Sequence, residues 1–121
     1  MKQYQINNAC NALERLINMQ LRMRDSRNIY MLSKQLEDAY NFEIEQERKL
    51  ISKYHGEITQ NGLVHFPTPA DGDGFKKEIA ELNNLDVEVD FDPVTINCDG
   101  LDDQLITPRD IALLDGFVVF E

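Results

Sequence analysis

The chain has 121 residues, 42% of them apolar and 28% charged, with a formal net charge of -10. That length suits one domain burying about two-thirds of the surface its unfolded form exposes, and that composition excludes wholesale disorder. No apolar run approaches the roughly eighteen residues of a membrane span, and the N-terminus lacks a basic-then-apolar signal order, so a soluble cytoplasmic protein is expected.

Residues Lys2 to Ile6 alternate polar with apolar and predict a brief strand. Asn7 or Asn8 is placed to cap a first helix, whose apolar positions Ala9, Leu13, Leu16, Ile17 and Leu21 keep helical spacing to about residue 21. Arg22-Met23-Arg24-Asp25-Ser26 breaks that stripe and predicts a turn, with Asp25 or Ser26 capping a second helix from Arg27 or Asn28. Ile29, Leu32, Leu36, Tyr40, Ile44, Glu47, Leu50 or Ile51, and Tyr54 then recur at three- and four-residue intervals, which predicts a long helix of roughly seven turns. His55-Gly56 ends it, with Gly56 as the left-handed cap and Lys53 facing the negative end of the dipole.

The second half changes character. Glu57-Ile58-Thr59 and Leu63-Val64-His65-Phe66 flank Gln60-Asn61-Gly62, a hairpin signal. Pro67, Pro69 and Asp71-Gly72-Asp73-Gly74 predict a loop, after which Asp73 caps a short helix bearing Phe75, Ile79 and Leu82. Val87, Val89 and Phe91 alternate with Glu88, Asp90 and Asp92 as in a half-wet strand, which Val94 and Ile96 continue past an edge or bulge at Pro93. Thr107-Pro108-Arg109-Asp110 opens a short last helix that Gly116 ends, and Phe117 to Phe120 closes as a strand or a buried tail. The expected fold class is α+β over a single domain, 1–121. A helical hairpin portion, 1–55, with a long second helix precedes a mixed acidic portion, 56–121. Two amphipathic helices joined by a short turn fold back on each other, and the overhanging turns of the second pack on the C-terminal half or on another copy, which makes a dimer the favoured oligomer.

Charge is unevenly divided. Residues 1–53 carry nine Lys/Arg against seven acids, whereas residues 54–121 carry three against fifteen. A solvated acidic face is the bland reading; a face that repels or imitates nucleic acid, or that attracts another copy, is the sharper one.

The candidate sites follow from these patterns. Arg22, Arg24 and Arg27, with Arg15 near them, converge at the first interhelical turn, where guanidinium forks and free helix N–H groups suit an anion or a partner. Pairing with acids of the C-terminal half is the preferred alternative. Asp86, Glu88, Asp90 and Asp92 form a possible acidic interaction face. Asp71, Asp73 and Gly74 resemble part of a calcium loop, but Lys76 stands where that loop needs an apolar residue. Glu43 and Glu47, with Glu78 and Glu81, are the nearest approach to a magnesium site, and a solvated helix face is the simpler reading. His55 and His65 bracket the hairpin with no nucleophile beside them. Cys10 and Cys98 lie far apart with no zinc spacing and read as small buried hydrophobes. No catalytic residue, cofactor or metal ligand is expected.

Several of these features occur together in one group of proteins. The Ser26-Arg27 turn, the long helix ending near Lys53-Tyr54, the Asn61-Gly62 hairpin, the Phe75 helix with Glu78 and Leu82, and the Leu105-Ile106-Thr107-Pro108 close resemble small proteins from tailed phages of Gram-positive bacteria. The chain departs from them at Arg22-Met23-Arg24, where they carry a glycine-containing turn. That family is a domain of unknown function, so the resemblance implies a viral origin and transfers no site residue. Three functions are then open. A non-enzymatic protein–protein interaction or assembly module with a phage or host partner needs the fewest assumptions. An acidic inhibitor or decoy of a host defence or nucleic-acid-binding protein is the alternative. A binder or hydrolase of small nucleotides is the third. Direct nucleic-acid binding and membrane binding are not expected of so acidic a chain.

Overall fold

Buried side chains recur at helical spacing from the third residue onward, and the backbone follows them. The computed structural model describes residues 1–101 and 104–121. Helix α1 covers Gln3–Ile17 and buries Gln3, Ile6, Ala9, Leu13 and Leu16. The brief strand expected at Lys2 to Ile6 is therefore replaced by the first turn of α1. Gln3 decides the matter: fully buried, its side-chain amide donates to Asn7 Oδ1 at 2.9 Å and to the Ala39 carbonyl at 3.0 Å. With its amide nitrogen paired, Gln3 occupies the inner face, which the alternation rule had assigned to Tyr4 and Ile6, although its Oε1 is buried without a partner among the described residues. Asn7 and Asn8 lie inside α1 and cap nothing; Gln5 Oε1 accepts from the Lys2 amide instead, at 2.8 Å. All that remains of strand character is one bridge between Lys2 and Asp86.

Helix α1 stops at Ile17, short of the expected Leu21, and α2 begins at Met23, earlier than the expected Arg27. Apolar Met19 and Leu21 continue to pack on the core after the helix has ended, which is why the stripe overran the boundary. Arg22 is the extended N-cap of α2, without a side-chain cap. Asp25 does not cap; it sits in the first turn, buried, where its carboxylate suits the positive end of the dipole. Helix α2 spans Met23–Lys53, about 46 Å at 1.5 Å per residue. Its end is a Schellman motif, with Gly56 N–H donating to Ile51 O at 2.8 Å and His55 N–H to Ser52 O at 3.1 Å. The left-handed residue there is His55, φ 59°, rather than the expected Gly56. Gly56 is required for another reason: a Cβ would come within 2.9 Å of Phe66 and Val64.

Strands β1, Glu57–Ile58, and β2, Val64–His65, form the expected antiparallel hairpin. Gly62, φ 77°, takes the left-handed turn position. Helix α3 runs Pro69–Asn83, so the predicted loop at 69–74 is helix and Asp73 is not its cap. Thr68 is, accepting from the Asp71 amide at 3.2 Å, with Pro69 in the first turn. Of the two glycines inside α3, Gly74 lies against the Tyr54 ring, where a Cβ would overlap it.

The alternation at 87–92 is real in burial, with Val87, Val89 and Phe91 half-buried and Glu88, Asp90 and Asp92 exposed, yet the segment does not pair as a strand. Phe91 stacks on Phe117 at 4.8 Å. Strand β3 starts only after Pro93, at Val94–Ile96, and pairs in parallel with β4, Val118–Phe120. Between them Thr107 caps α4, Pro108–Leu113, and Gly116, φ 85°, turns the chain into β4.

One core joins these elements. Leu13 and Leu16 of α1, Leu32 and Leu36 of α2, Ile96 of β3, Leu114, and Val118 of β4 belong to a single buried cluster. Each fully buried leucine contributes roughly 2 kcal/mol of apolar transfer. The distal turns of α2 are covered by α3 and the hairpin, through Tyr54 against Gly74 and Lys53 to Glu78 at 2.8 Å. Of the two ways to cover them, the chain's own C-terminal half is the one used. No helix among the described residues is long and apolar enough to cross a membrane.

Candidate functional site

The start of α2 and the 92–97 segment run side by side, and side chains of α2 satisfy the outer backbone groups of that segment. Asp25 Oδ2 accepts from the Asn97 amide at 3.2 Å, and Gln35 Oε1 accepts from the Asp92 amide at 3.1 Å. In the parallel ladder Val94 N–H donates to Phe117 O and Ile96 O accepts from Glu121 N–H, so the peptide groups of Thr95 face away from β4, toward α2. The two side-chain ties thus flank the outward peptide groups of Thr95.

Between the two walls lies an open cleft of about 470 Å³, with Arg22, Arg24, Asp25 and Asn28 on one side and Asp92, Pro93, Val94 and Thr95 on the other. Two of the three arginines singled out from sequence thus line one cleft with one of the four acids. Arg27 is exposed nearby on α2 without lining it. Among the described residues, Arg22, Arg24 and Arg27 make no ion pair within 4.0 Å. Arg15 does: its guanidinium meets Asp110 at 2.9 Å. Burial would raise the Asp110 carboxyl, but the Thr107 hydroxyl and amide, with Arg15, hold it below the usual carboxylate range.

The acidic row divides. Asp86 pairs with Lys2 at 3.0 Å, and that ammonium's hydrogen bond holds its carboxyl below the ordinary range. Asp92 is tied to Gln35, whereas Glu88 and Asp90 are exposed and, among the described residues, unpaired.

Of the glutamates weighed for magnesium, Glu43 and Glu78 sit in different settings. Glu43 is turned inward, and burial, then the neighbouring Glu47 carboxylate, push its carboxyl up to about 7. Glu78 is engaged by Lys53, which holds it low. Asp71 accepts from the Thr68 hydroxyl at 2.8 Å as part of a helix cap. Among the described residues no three His, Cys, Asp or Glu side chains cluster as metal ligands. His55 and His65 are both exposed at the hairpin base. Cys10 and Cys98 are half-buried, and burial pushes the Cys10 thiol up to about 11, which keeps it protonated at neutral pH.

Sequence reasoning missed several exposed apolar side chains. Met23, 88% exposed, projects between Arg22 and Arg24, and Tyr30 and Met31 follow it on the outer side of α2. The broken apolar stripe at residue 22 was the available signal, but it was read as a turn. A smaller apolar crevice of about 200 Å³ opens beside Leu101 and Ile106, with Leu105, 91% exposed, next to it. No family model, curated protein or solved structure matches the chain.

Proposed function

We propose that the protein is a non-enzymatic protein–protein interaction or assembly module, phage-encoded as its resemblance to small tailed-phage proteins implies, working in the cytoplasm of the host cell. The observation that carries this reading is the corner at the start of α2, where Arg22, Met23, Arg24, Arg27, Tyr30 and Met31 are all exposed. Arg, Met and Tyr are the residues enriched where protein interfaces bury their centres, whereas Lys and Glu dominate idle surface. Three arginines without ion pairs among the described residues keep their donors available for a partner's carboxylates.

Affinity capture from cells expressing the tagged protein tests the reading. Wild type is expected to retain a defined partner that Arg24→Glu and Met23→Asp both lose while their circular dichroism stays unchanged. Identical retention by all three proteins contradicts it.

A second reading is favoured by Glu88, Asp90 and Asp92, exposed at alternate positions of one segment. Such a row suits a decoy for a nucleic-acid-binding host protein. A salt-sensitive complex weakened by Glu88→Gln with Asp90→Asn supports it, and capture of virion components alone contradicts it.

A further inference from the structure

We infer that the protein forms a two-fold pair in which the arginine corner of one copy docks on the carboxylate edge of the other. This rests on the interaction-module reading and names a second copy of the chain as a partner.

The argument is electrostatic and geometric. The corner presents Arg22, Arg24 and Arg27; the edge presents Glu88 and Asp90, all exposed and without ion pairs among the described residues. Asp92, at the end of that edge, lines the same cleft as Arg22 and Arg24, so the basic and acidic patches are neighbours. A surface with adjacent patches of opposite sign is its own complement: a two-fold rotation about an axis between them sets each patch over its opposite. Within one copy the cleft holds the two walls apart, and their charges remain unmatched.

Both halves are prepared for docking. The corner belongs to a helix of 31 residues, and the end of the edge is fixed to that helix by the two hydrogen bonds between Gln35 and Asp92. Little ordering is therefore needed on association. Met23 supplies the apolar anchor, and Pro93 and Val94 in the facing cleft offer it an apolar floor. Exposed ion pairs are individually weak, so the pair is expected to be of modest affinity and strongly salt-dependent.

Sedimentation velocity on the full chain tests this. At about 50 mM salt a concentration-dependent dimer is expected, and at about 500 mM, where screening is several-fold shorter in range, a monomer. Arg24→Glu and Asp90→Lys should each reduce self-association at least tenfold. Mixing the two variants should restore dimer, because in the mixed pair both contacts again join opposite charges. A wild-type monomer at every concentration and salt, a dimer indifferent to either reversal, or a mixture that stays monomeric overturns the inference. A monomer whose partner capture is still lost on Arg24→Glu sinks the pair and leaves the interaction module standing.

Discussion

His55 carries the left-handed cap of α2 with an L side chain, at a position where glycine is free of the Cβ clash. His55→Gly is therefore expected to stabilise the protein by about 1 kcal/mol in denaturant unfolding, and no change or a loss would contradict the cap assignment. Glu43 makes an opposite kind of demand. Its folded pKa, about 7, lies above the unfolded value near 4.5, so the folded state holds the extra proton between them. The contribution is fully present below about pH 4.5 and is lost as pH rises through 7. Glu43→Gln, which keeps the neutral form, should add about 1 kcal/mol at pH 8 and little at pH 5. Equal effects at both pH values would show that the carboxyl is not held protonated. Asp86 and Glu78, held low by Lys2 and Lys53, act in the other window, stabilising above the unfolded carboxylate range and failing as pH falls below it.

The elements were legible where chemistry is local and repeated. Thr107-Pro108-Arg109-Asp110 was read correctly as a helix start, with Thr107 and Asp110 closing a capping box. Thr68-Pro69-Ala70-Asp71 has the same form and closes a similar cap, but the glycines at 72 and 74 outweighed it in the sequence reading. Gly74 answers a tertiary need, the approach of Tyr54, which no local pattern announces. Thr68→Ala is expected to cost about 1 kcal/mol and to fray the first turn of α3, as exchange of the Asp71 and Gly72 amides, which bond to Thr68, would report. Unchanged exchange there would place the helix start elsewhere. The 87–92 segment teaches the converse. Its two-residue period records which side is covered, and that period arises without a paired strand when a helix side chain such as Gln35 takes the backbone donor. At Gln3 the period failed because a buried amide with partners behaves as an inner-face residue.

At the scale of the whole molecule, the charge asymmetry along the chain was readable by counting, and the helical hairpin backed by a mixed portion followed from periodicity. That α2 would run along residues 92–97, setting Arg22 and Arg24 across a cleft from Asp92, depends on contacts between residues some seventy positions apart and had no local signal. The same docking leaves Met23 and Tyr30 uncovered, while Lys53, Tyr54 and Phe66 are taken up by α3 and the hairpin. The acidic half thereby closes over the far end of α2 and leaves the near end open for contact. Hydrogen–deuterium exchange at low and high protein concentration, in low salt, tests this most directly. The account predicts new protection confined to residues 22–31 and 88–95 at high concentration. Protection located instead on the hairpin and α3, with the arginine corner exchanging at one rate throughout, would contradict it.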